Sequence, residues 1–329
     1  MKITRPDLVI LRALLDAGDG FVSGNDLAQE IGVSRVAVWQ HMEKLRDQGF
    51  TFEAVRSRGY QLTAKPSTLN ALLIEARLTA ATPCSIVTLD TVDSTNDEAM
   101  RRVGQGAATP LVVIAGEQTK GRGRLGRQWL SSPNGNLYIT FATRPEVAPE
   151  RLATITPWIG VNLCSLFASY CRIDPQIKWP NDILVDGRKA GGILTEARID
   201  ADRIRDLVIG CGLNLRAPAG GWTGELAARA VALGEVAASP IDINHFASAV
   251  ISRVLTACQV FQDNLHTTEL AKLWQRFDAL RDRDITLLHR REEVTGRAVG
   301  IDPDGSLILR RPDGTRGRFR AGAVTISKR

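Results

Sequence analysis

The chain has 329 residues, of which 44% are apolar and 24% charged, and this excludes a disordered protein and predicts a globular one of two or three domains at about 150 residues each. The formal net charge is +6, and its distribution is uneven: residues 1–64 are neutral overall, residues 65–280 carry +1 and residues 281–329 carry +5. Bulk charge therefore does not identify the N-terminal segment as a nucleic-acid binder, and such a role has to come from the local placement of basic side chains.

The cysteines and apolar stretches predict a protein with reduced thiols and no membrane anchor. No CxxC pair occurs, which argues against a zinc ribbon or a disulfide framework. Charged residues interrupt the N-terminal apolar stretch, so we expect no secretory signal and a cytoplasmic protein. The uncharged stretch 153–171 predicts a helix capped by Thr156 and starting at Pro157, which at about 22 Å is too short to cross a membrane. The cysteines are Cys84, Cys164, Cys171, Cys211 and Cys258.

Residues 1–64 have the pattern of a winged helix-turn-helix domain. Apolar residues at helical spacing predict three short helices, the second over 25–31 and the third capped by Ser34. Ala28, Gly32 and Val38 have the spacing that lets the last two helices pack closely across a turn. A hairpin over 50–62 would form the wing. The residues predicted to contact DNA are Ser34, Arg35, Trp39, Gln40, Arg56 and Arg58; the alternative is a winged helix that contacts only proteins.

Residues 64–67 predict a linker, and strands then alternate with helices over 68–280. The predicted strands are 85–90, 111–117, 136–143, 175–179, 183–186, 192–197 and 206–213, and the predicted helices are 95–103, 157–171, 241–262 and 268–279. Asp186-Gly187 is a tight-turn signal, which makes part of the sheet antiparallel and favours an α+β fold over a doubly wound parallel sheet. Short strands separated by Asp- and Gly-containing turns over 284–327 predict a small barrel.

A loop rich in glycine and arginine follows the strand that ends near Glu117. It runs Gly121-Arg122-Gly123-Arg124-Leu125-Gly126-Arg127, in which glycines let backbone N–H groups converge and arginines supply positive charge for a phosphate or another crowded anion. It is not a Walker loop, because no GK[ST] follows, and it does not open a helix as a dinucleotide-binding turn does. A flexible basic loop is the alternative.

Three shorter motifs accompany this loop. Lys178-Trp179-Pro180-Asn181-Asp182 places a lysine at a strand end before a proline-fixed turn, which predicts either a positioned site or an ordinary turn. Ser94-Thr95-Asn96 precedes a helix, where Thr95 and Glu98 predict a capping box. Gly210-Cys211-Gly212-Leu213-Asn214 ends a strand with glycines that allow a ligand close to the backbone. Cys211 is not favoured as a nucleophile, because no histidine lies in its segment.

In their order and spacing these motifs resemble the bifunctional biotin protein ligases of the biotin operon repressor type, from end to end of the chain. The resemblance is carried by Ser94-Thr95-Asn96, Gln118 ahead of the arginine loop, Lys178-Trp179-Pro180-Asn181-Asp182, Gly191-Gly192-Ile193-Leu194 and Gly212-Leu213-Asn214. Leu125 stands where some members have arginine. The resemblance implies an N-terminal winged helix-turn-helix domain (1–64), a central mixed-sheet catalytic domain like that of class II synthetases (68–280) and a C-terminal SH3-like small β-barrel (281–329).

Members of this family activate biotin with ATP and pass the biotinoyl group from the adenylate to a lysine of a biotin carboxyl carrier protein. The first step brings two anions together and requires fixed cations and N–H donors. The resemblance assigns this catalytic part to Lys178, Arg122 and Arg124. Mg²⁺ would offset phosphate charge, with Asp182 as its candidate ligand.

The resemblance also implies two sets of binding residues. Biotin's ureido ring has both donors and an acceptor, which hydroxyl and amide side chains suit, and glycines would leave the ring room. The biotin set is Ser94, Thr95, Asn96, Gln118, Arg122, Gly123, Arg124, Lys178, Gly192 and Gly212, of which Arg122 and Gly123 would close over the adenylate and shield it from water. The ATP or adenylate set is Gly121, Arg122, Trp129, Asn181 and Asn214.

In this family the adenylate is also a corepressor that favours a homodimer binding a palindromic operator. The resemblance therefore implies operator DNA, a carrier protein and a second copy of the chain as partners, with 136–143 as the edge through which two sheets pair. The basic C-terminal segment would contact an acidic carrier protein or ATP, or be a solvated surface.

Two alternatives stay open. One is a lipoate or octanoate ligase on the same fold, although the RxxGGGxVxHD-type signature of lipoate enzymes is missing. The other is a ligand-sensing repressor without catalysis.

Overall fold

The computed structural model describes residues 5–79, 83–131, 133, 135–290 and 292–326, so Ser327, the predicted end of the last barrel strand, lies outside the described residues. The chain folds into two compact units. The first is Met1–Ala81 with Asp242–Ser248, and the second is Thr82–Ile241 with Ala249–Arg329. The first unit thus includes a short stretch from much later in the chain, which the sequence did not predict.

The first unit has the predicted winged helix-turn-helix form. Ser23 and Ser34 begin the second and third helices by accepting backbone N–H hydrogen bonds, and Gly32 turns the chain between them with φ +69°. Leucines and isoleucines on the inner faces of the helices form one buried core with Phe50 of the wing. The elements are α1 (Pro6–Ala17), α2 (Gly24–Ile31), α3 (Arg35–Asp47), β1 (Thr51–Val55), β2 (Gly59–Ala64) and α4 (Ala71–Arg77).

Asn244 attaches the late stretch of chain to this unit. Its side-chain amide donates hydrogen bonds to the carbonyl oxygens of Pro66 and Thr68, and its Oδ1 accepts from the backbone N–H of Asn70 at 2.8 Å. Asn244 is fully buried, so these bonds satisfy a polar side chain that would otherwise be costly to bury. The segment predicted to be a linker is therefore held in place at its C-terminal end.

The second unit is built on a mixed sheet of seven strands in the order β3-β4-β5-β9-β8-β7-β6. Strands β3 and β4 are parallel and the other neighbouring pairs are antiparallel, which confirms the predicted α+β class. The strands are β3 (Ser85–Val92), β4 (Leu111–Gln118), β5 (Asn136–Thr143), β6 (Pro175–Lys178), β7 (Asp182–Val185), β8 (Arg188–Asp200) and β9 (Arg203–Asn214). The helices are α5 (Thr95–Gly104), α6 (Leu152–Tyr170), α7 (Leu226–Arg229), α8 (Leu233–Val236), α9 (Ile243–Gln262), which begins in the late stretch of the first unit, and α10 (His266–Phe277).

The prediction that strand 136–143 is a pairing edge is wrong. This strand, β5, lies between β4 and β9, is hydrogen-bonded on both sides, and is buried along nearly its whole length. A strand whose N–H and C=O groups are already paired on both sides has none left for a second molecule. The outer strands are β3 and β6, and Ile177 of β6 is bridged on its other side by Asp278.

Helix α6 begins at Leu152 rather than at Pro157. Thr154 and Ile155 are buried, and the Thr154 hydroxyl lies 2.9 Å from Nε2 of His266, so tertiary packing stabilises a first turn ahead of the proline. Thr156 is not the cap, because its hydroxyl donates to Thr195 instead. Among the described residues this region, Pro149–Tyr170, is long and apolar enough to cross a membrane, but 67% of its most apolar stretch is buried inside the protein, as predicted for a core helix.

The C-terminal segment forms the predicted small β domain, a five-stranded antiparallel sheet in the order β13-β12-β11-β10-β14. Gly305 and Gly314 have φ +80° and +86° in the two predicted turns, a conformation that glycine adopts without strain. The strands are β10 (Asp284–His289), β11 (Glu292–Ile301), β12 (Leu307–Arg310), β13 (Arg316–Phe319) and β14 (Ala323–Ile326).

Candidate active site

A cavity of about 750 Å³ in the second unit brings together motifs that are far apart in sequence. It is lined by the end of β4, the start of α5, the arginine loop (Gly121–Arg127), the β6–β7 turn, β8, β9 and β14. All residues predicted to bind biotin or to act in catalysis line it: Ser94, Thr95, Asn96, Gln118, Arg122, Gly123, Arg124, Lys178, Gly192 and Gly212. Of the predicted nucleotide residues, Trp129, Asn181 and Asn214 also line it, and Gly121 does not.

The arginine loop is an ordered turn with its own hydrogen bonds. The Gly123 N–H donates to the Arg127 carbonyl at 2.7 Å, and the Trp129 N–H donates to the Gly121 carbonyl at 2.9 Å. A Cβ on Gly121 would lie 2.6 Å from the Trp129 carbonyl oxygen, so this glycine permits the loop to close on itself. The loop cations are therefore presented from a closed turn rather than from a freely flexible chain.

Lys178 and Arg124 are half-buried cations in the cavity wall. Burial lowers the pKa of both side chains, against the opposing attraction of Asp182. The Asp182 carboxylate itself is bonded by Lys189, whose Nζ lies 2.7 Å from Oδ1. The nearest polar partner of the Arg124 guanidinium is the Asn181 Oδ1 at 3.4 Å. Two partly desolvated cations in one cavity favour an anionic ligand, which restores the interactions that both lose with water.

Arg122 differs from these two because carboxylates already engage it. Its guanidinium donates two hydrogen bonds to Glu196 at 2.8 Å and one to Asp97 at 2.7 Å. The hydrogen bond with Glu196 is the main reason that the Arg122 pKa is raised. In this structure Arg122 is therefore tied to β8 and α5 rather than presented to a ligand.

The predicted polar end of the cavity is a set of bonded, buried side chains. Oε1 of Gln118 accepts from the Thr95 backbone N–H at 2.8 Å and from its hydroxyl at 3.0 Å. The Asn96 Nδ2 donates to Glu196 at 2.8 Å and to the Leu194 carbonyl at 3.2 Å. These amide and hydroxyl groups have defined orientations, as a site that recognises a small polar ring requires.

The predicted capping box of Thr95 and Glu98 is wrong. Ser94 is the N-cap of α5 and accepts from the Asp97 N–H, although at 3.4 Å this bond is long. Glu98 pairs instead with Arg101 and Arg102 on the next turn. Thr95 is thereby free to bond Gln118 on the neighbouring strand, a tertiary contact that no local pattern indicated.

The glycines at the strand ends make room for neighbouring protein side chains. A Cβ on Gly212 would lie 2.6 Å from the Trp129 indole, and one on Gly192 would lie 3.0 Å from it. A Cβ on Gly210 would lie 2.1 Å from the Asn96 Oδ1. In this structure the Trp129 side chain lies over Gly192 and Gly212, with the Lys189 Nζ 5.0 Å from the centre of its ring, and room for the biotin ring at these glycines stays a prediction.

Asn181 and Asn214, which were predicted to contact the nucleotide, make hydrogen bonds to backbone carbonyls of the cavity wall. The Asn181 Nδ2 donates to the Ile193 carbonyl, and the Asn214 Nδ2 donates to the carbonyls of Lys189 and Val231. Within the described residues no group of three or more His, Cys, Asp or Glu side chains could hold a metal ion. Because Asp182 is engaged by Lys189, a magnesium ion would have to be held mainly by the phosphates of a nucleotide.

Several cavity residues were missed from sequence. Lys189 and Arg229 bring further positive charge to the wall, and residues of β14 line one side. None of them lies in a motif, and their proximity to Lys178 follows from strand pairing and from the fold of the C-terminal domain. Cys211 lines the cavity, but burial raises the pKa of its thiol, in agreement with the prediction that it is not a nucleophile.

The residues predicted to contact DNA lie on the first unit. Arg35, Trp39 and Gln40 are exposed on α3, the second helix of the helix-turn-helix, and Ser34 caps it. Arg56 is exposed at the hairpin tip, and the Arg58 guanidinium lies 4.0 Å above the Phe21 ring. The basic wing is thus partly held in place by a cation–π contact.

Three family models match the chain in the order of its folded segments. The biotin/lipoate A/B protein ligase family matches residues 89–214, an HTH domain matches residues 8–61, and the biotin protein ligase C-terminal domain matches residues 282–326.

Curated relatives match over almost their full length. The bifunctional ligase/repressor BirA of Bacillus spizizenii is 31% identical over 321 residues, covering 96% of this chain and 97% of the relative. BirA of Escherichia coli K12 is 30% identical over 323 residues, covering 96% of each. The solved biotin protein ligase of Aquifex aeolicus in complex with biotin and ATP superposes with a TM-score of 0.63 at 24% identity, covering 74% of this chain and 99% of that one, which supports the fold.

The three family models match in the predicted order, and a relative above 30% identity matches over almost the full length. Together these matches identify the family. The chain belongs to the bifunctional biotin ligase/repressor family.

Proposed function

We propose that this enzyme activates biotin with ATP and transfers the biotinoyl group to a lysine of a biotin carboxyl carrier protein. A carboxylate oxygen of biotin attacks the α-phosphorus, the bond to pyrophosphate breaks, and biotinoyl-5′-AMP forms. The lysine amine of the carrier then attacks the acyl carbon, AMP leaves, and the amine gives up a proton. The observation that carries the proposal is the pair of partly buried cations, Lys178 and Arg124, in one cavity with the polar side chains of Thr95, Asn96 and Gln118.

Each part of the cavity suits one part of the reaction. Lys178 and Arg124 neutralise the carboxylate and the α-phosphate where negative charge accumulates. Ser94, Thr95, Asn96 and Gln118 satisfy the donors and the acceptor of the ureido ring. Because Trp129 lies over Gly192 and Gly212, it moves aside when biotin enters and is then available to the nucleotide. Arg122 and Gly123 cover the adenylate, and Gly121, Asn181 and Asn214 support the nucleotide side. Mg²⁺ would offset the phosphate charge, with Asp182 as its candidate carboxylate ligand.

The test is biotin-dependent ATP–pyrophosphate exchange. We expect exchange with biotin and none with lipoate or octanoate. Lys178→Ala should lower the rate by about 10²–10³-fold, because it removes one preorganised charge from the transition state. Lys272→Ala, which removes an exposed lysine from α10, is the matched control and should keep the wild-type rate. Exchange with lipoate but not biotin would support an acyl ligase of the alternative kind, and absence of exchange with any acid would support a repressor without catalysis.

The first unit is the DNA-binding part of a biotin-responsive repressor. The adenylate favours a cytoplasmic homodimer whose two winged helices bind two halves of a palindromic operator, through Ser34, Arg35, Trp39, Gln40, Arg56 and Arg58 on each copy. The proposed domains are residues 1–64, 68–280 and 281–329. The basic C-terminal domain contacts the acidic carrier protein.

Corepression is tested by gel shift on the regulatory DNA upstream of the organism's biotin synthesis genes. Biotin plus ATP should strengthen binding by tenfold or more, on the order of 1.4 kcal/mol of coupling between the ligand and DNA sites. Biotin with a non-hydrolysable ATP analogue is the control, because it supplies both ligands without forming the adenylate. Equal binding with and without the substrates would exclude corepression.

A further inference from the structure

Thr140 places a hydroxyl between two apolar residues in the middle of β5. It is fully buried at the centre of β5, between Ile139 and Phe141. Its Oγ1 lies 2.7 Å from the Asn96 Oδ1 and 2.9 Å from the Thr95 Oγ1. It does not line the cavity, so it does not reach a ligand itself. A buried hydroxyl with two polar neighbours instead orients those neighbours.

Each hydroxyl has one hydrogen, and this determines which group donates in each of these hydrogen bonds. The Asn96 Oδ1 is only an acceptor, so the single hydroxyl hydrogen of Thr140 is committed to it. Thr95 then has one hydroxyl hydrogen for two acceptors, the Thr140 Oγ1 and the Gln118 Oε1. The Gln118 oxygen already accepts from the Thr95 backbone N–H. The Thr95 hydroxyl is therefore the one group of this set that can turn toward a ligand without leaving an acceptor unsatisfied.

The same bond fixes the amide of Asn96. With Oδ1 held by Thr140, Nδ2 points to β8, where it donates to the Glu196 carboxylate and to the Leu194 carbonyl. The Asn96 amide also packs closely against Gly210: a Cβ at that position would lie 2.1 Å from the Asn96 Oδ1. Asn96 itself is 4% exposed.

Glu196 continues the chain of bonds to the arginine loop. Its Oε2 accepts from Asn96 Nδ2 at 2.8 Å and from Arg122 at 2.8 Å, and its Oε1 accepts a second bond from Arg122. An unbroken series of hydrogen bonds thus runs from Gln118 through Thr95, Thr140, Asn96 and Glu196 to Arg122. It joins the polar end of the cavity to the loop that carries the cations.

We propose that Thr140 and Glu196 are positioning residues of the biotin site: Thr140 holds the Asn96 amide against β8 and leaves the Thr95 hydroxyl to face the ureido ring, and Glu196 couples Asn96 to Arg122. This inference rests on the proposed function of the cavity. Thr140 and Glu196 do not contact biotin in this proposal, but they affect how tightly biotin and its adenylate bind.

The first test compares Thr140→Val, Thr140→Ser and the same-strand control Thr143→Val by calorimetric titration of the full chain with biotin and, separately, with ATP. Valine has the shape of threonine without its donor, so Asn96 loses its partner and the biotin Kd should rise about tenfold, the scale for one unsatisfied buried polar group. The ATP Kd should not change, Thr140→Ser should restore biotin binding, and Thr143→Val should bind both ligands like the wild type. Equal weakening of biotin and ATP, or no rescue by serine, would show a merely structural role.

The second test uses Glu196→Gln and remains informative if Thr140→Val does not fold. Glutamine keeps the size of the side chain but replaces one carboxylate oxygen with an NH2 group. That group faces the donors of Asn96 and Arg122, so Arg122 loses a charge-assisted hydrogen bond. Preformed biotinoyl adenylate should then leave the enzyme about tenfold faster, with the exposed Glu146→Gln as the control. An unchanged release rate would overturn the coupling. If the wild type itself binds no biotin, the proposed function fails, whereas wild-type binding with unaffected variants refutes only this inference.

Discussion

At the scale of single residues, the proposed chemistry depends on two cations, Lys178 and Arg124, that the fold has partly removed from water. Burial is the largest influence on both Lys178 and Arg124, and it lowers the pKa of each because the charged form is the one that loses hydration. Arg122, held by Glu196 and Asp97, shows the opposite shift. The three cations that the sequence grouped together therefore have two different roles, and only burial and pairing distinguish them.

The lowered pKa of Lys178 has a measurable consequence. The free enzyme should lose this charge at a pH below the ordinary lysine value of 10.5, so kcat/KM for exchange should fall on the alkaline side earlier than an exposed lysine would allow. Lys178→Arg should move this alkaline limb to higher pH, since a guanidinium keeps its charge. The measurement is a pH profile of exchange for both proteins. An alkaline limb at the same pH in both would show that Lys178 is not the group that titrates.

At the scale of elements, the recognition helix combines a strong cap with an unusual exposed face. The Ser34 hydroxyl accepts from the Ala37 N–H, which fixes where α3 begins, and Val38, Met42 and Leu45 bury the inner face. The outer face exposes 53% of Trp39, a large apolar side chain that a helix used only for packing would cover. This arrangement is consistent with a helix that meets the floor of a DNA groove.

Replacing Trp39 separates DNA contact from folding. Trp39→Ala should weaken operator binding about tenfold or more, the scale of one lost contact at a base edge, while thermal unfolding changes little because the side chain is exposed. Gln29→Ala, an exposed position on α2, is the control. Gel shift and thermal denaturation are the two measurements. Unchanged DNA binding would favour the alternative of a winged helix that contacts protein.

At the scale of the whole molecule, the sheet decides how two copies can associate. Because β5 is interior, a side-by-side pairing of sheets has to use an outer strand. On β6, Ile177 is already bridged by Asp278, and the Ala279 N–H donates to the Ile177 carbonyl. Among the described strands this leaves β3 as the better candidate for the pairing edge of the homodimer proposed above.

The sequence by itself determined the class of the fold, the order of its domains and the motifs whose polar and charged residues meet in the cavity. These depend on local rules: apolar spacing, caps, turn glycines and motifs whose order is kept in the chain. The helix-turn-helix is a clear case, because Ser23, Gly32 and Ser34 act within a few residues of where they stand.

Only the tertiary structure decided what those residues do to one another. Pairing between strands distant in sequence places β5 inside the sheet. The same pairing brings Trp129 over Gly192 and Gly212 and Thr140 against Asn96. The physical reason is that hydrogen-bond partners and burial are properties of space, and a pattern along the chain specifies which face a side chain takes but not which side chain it meets there.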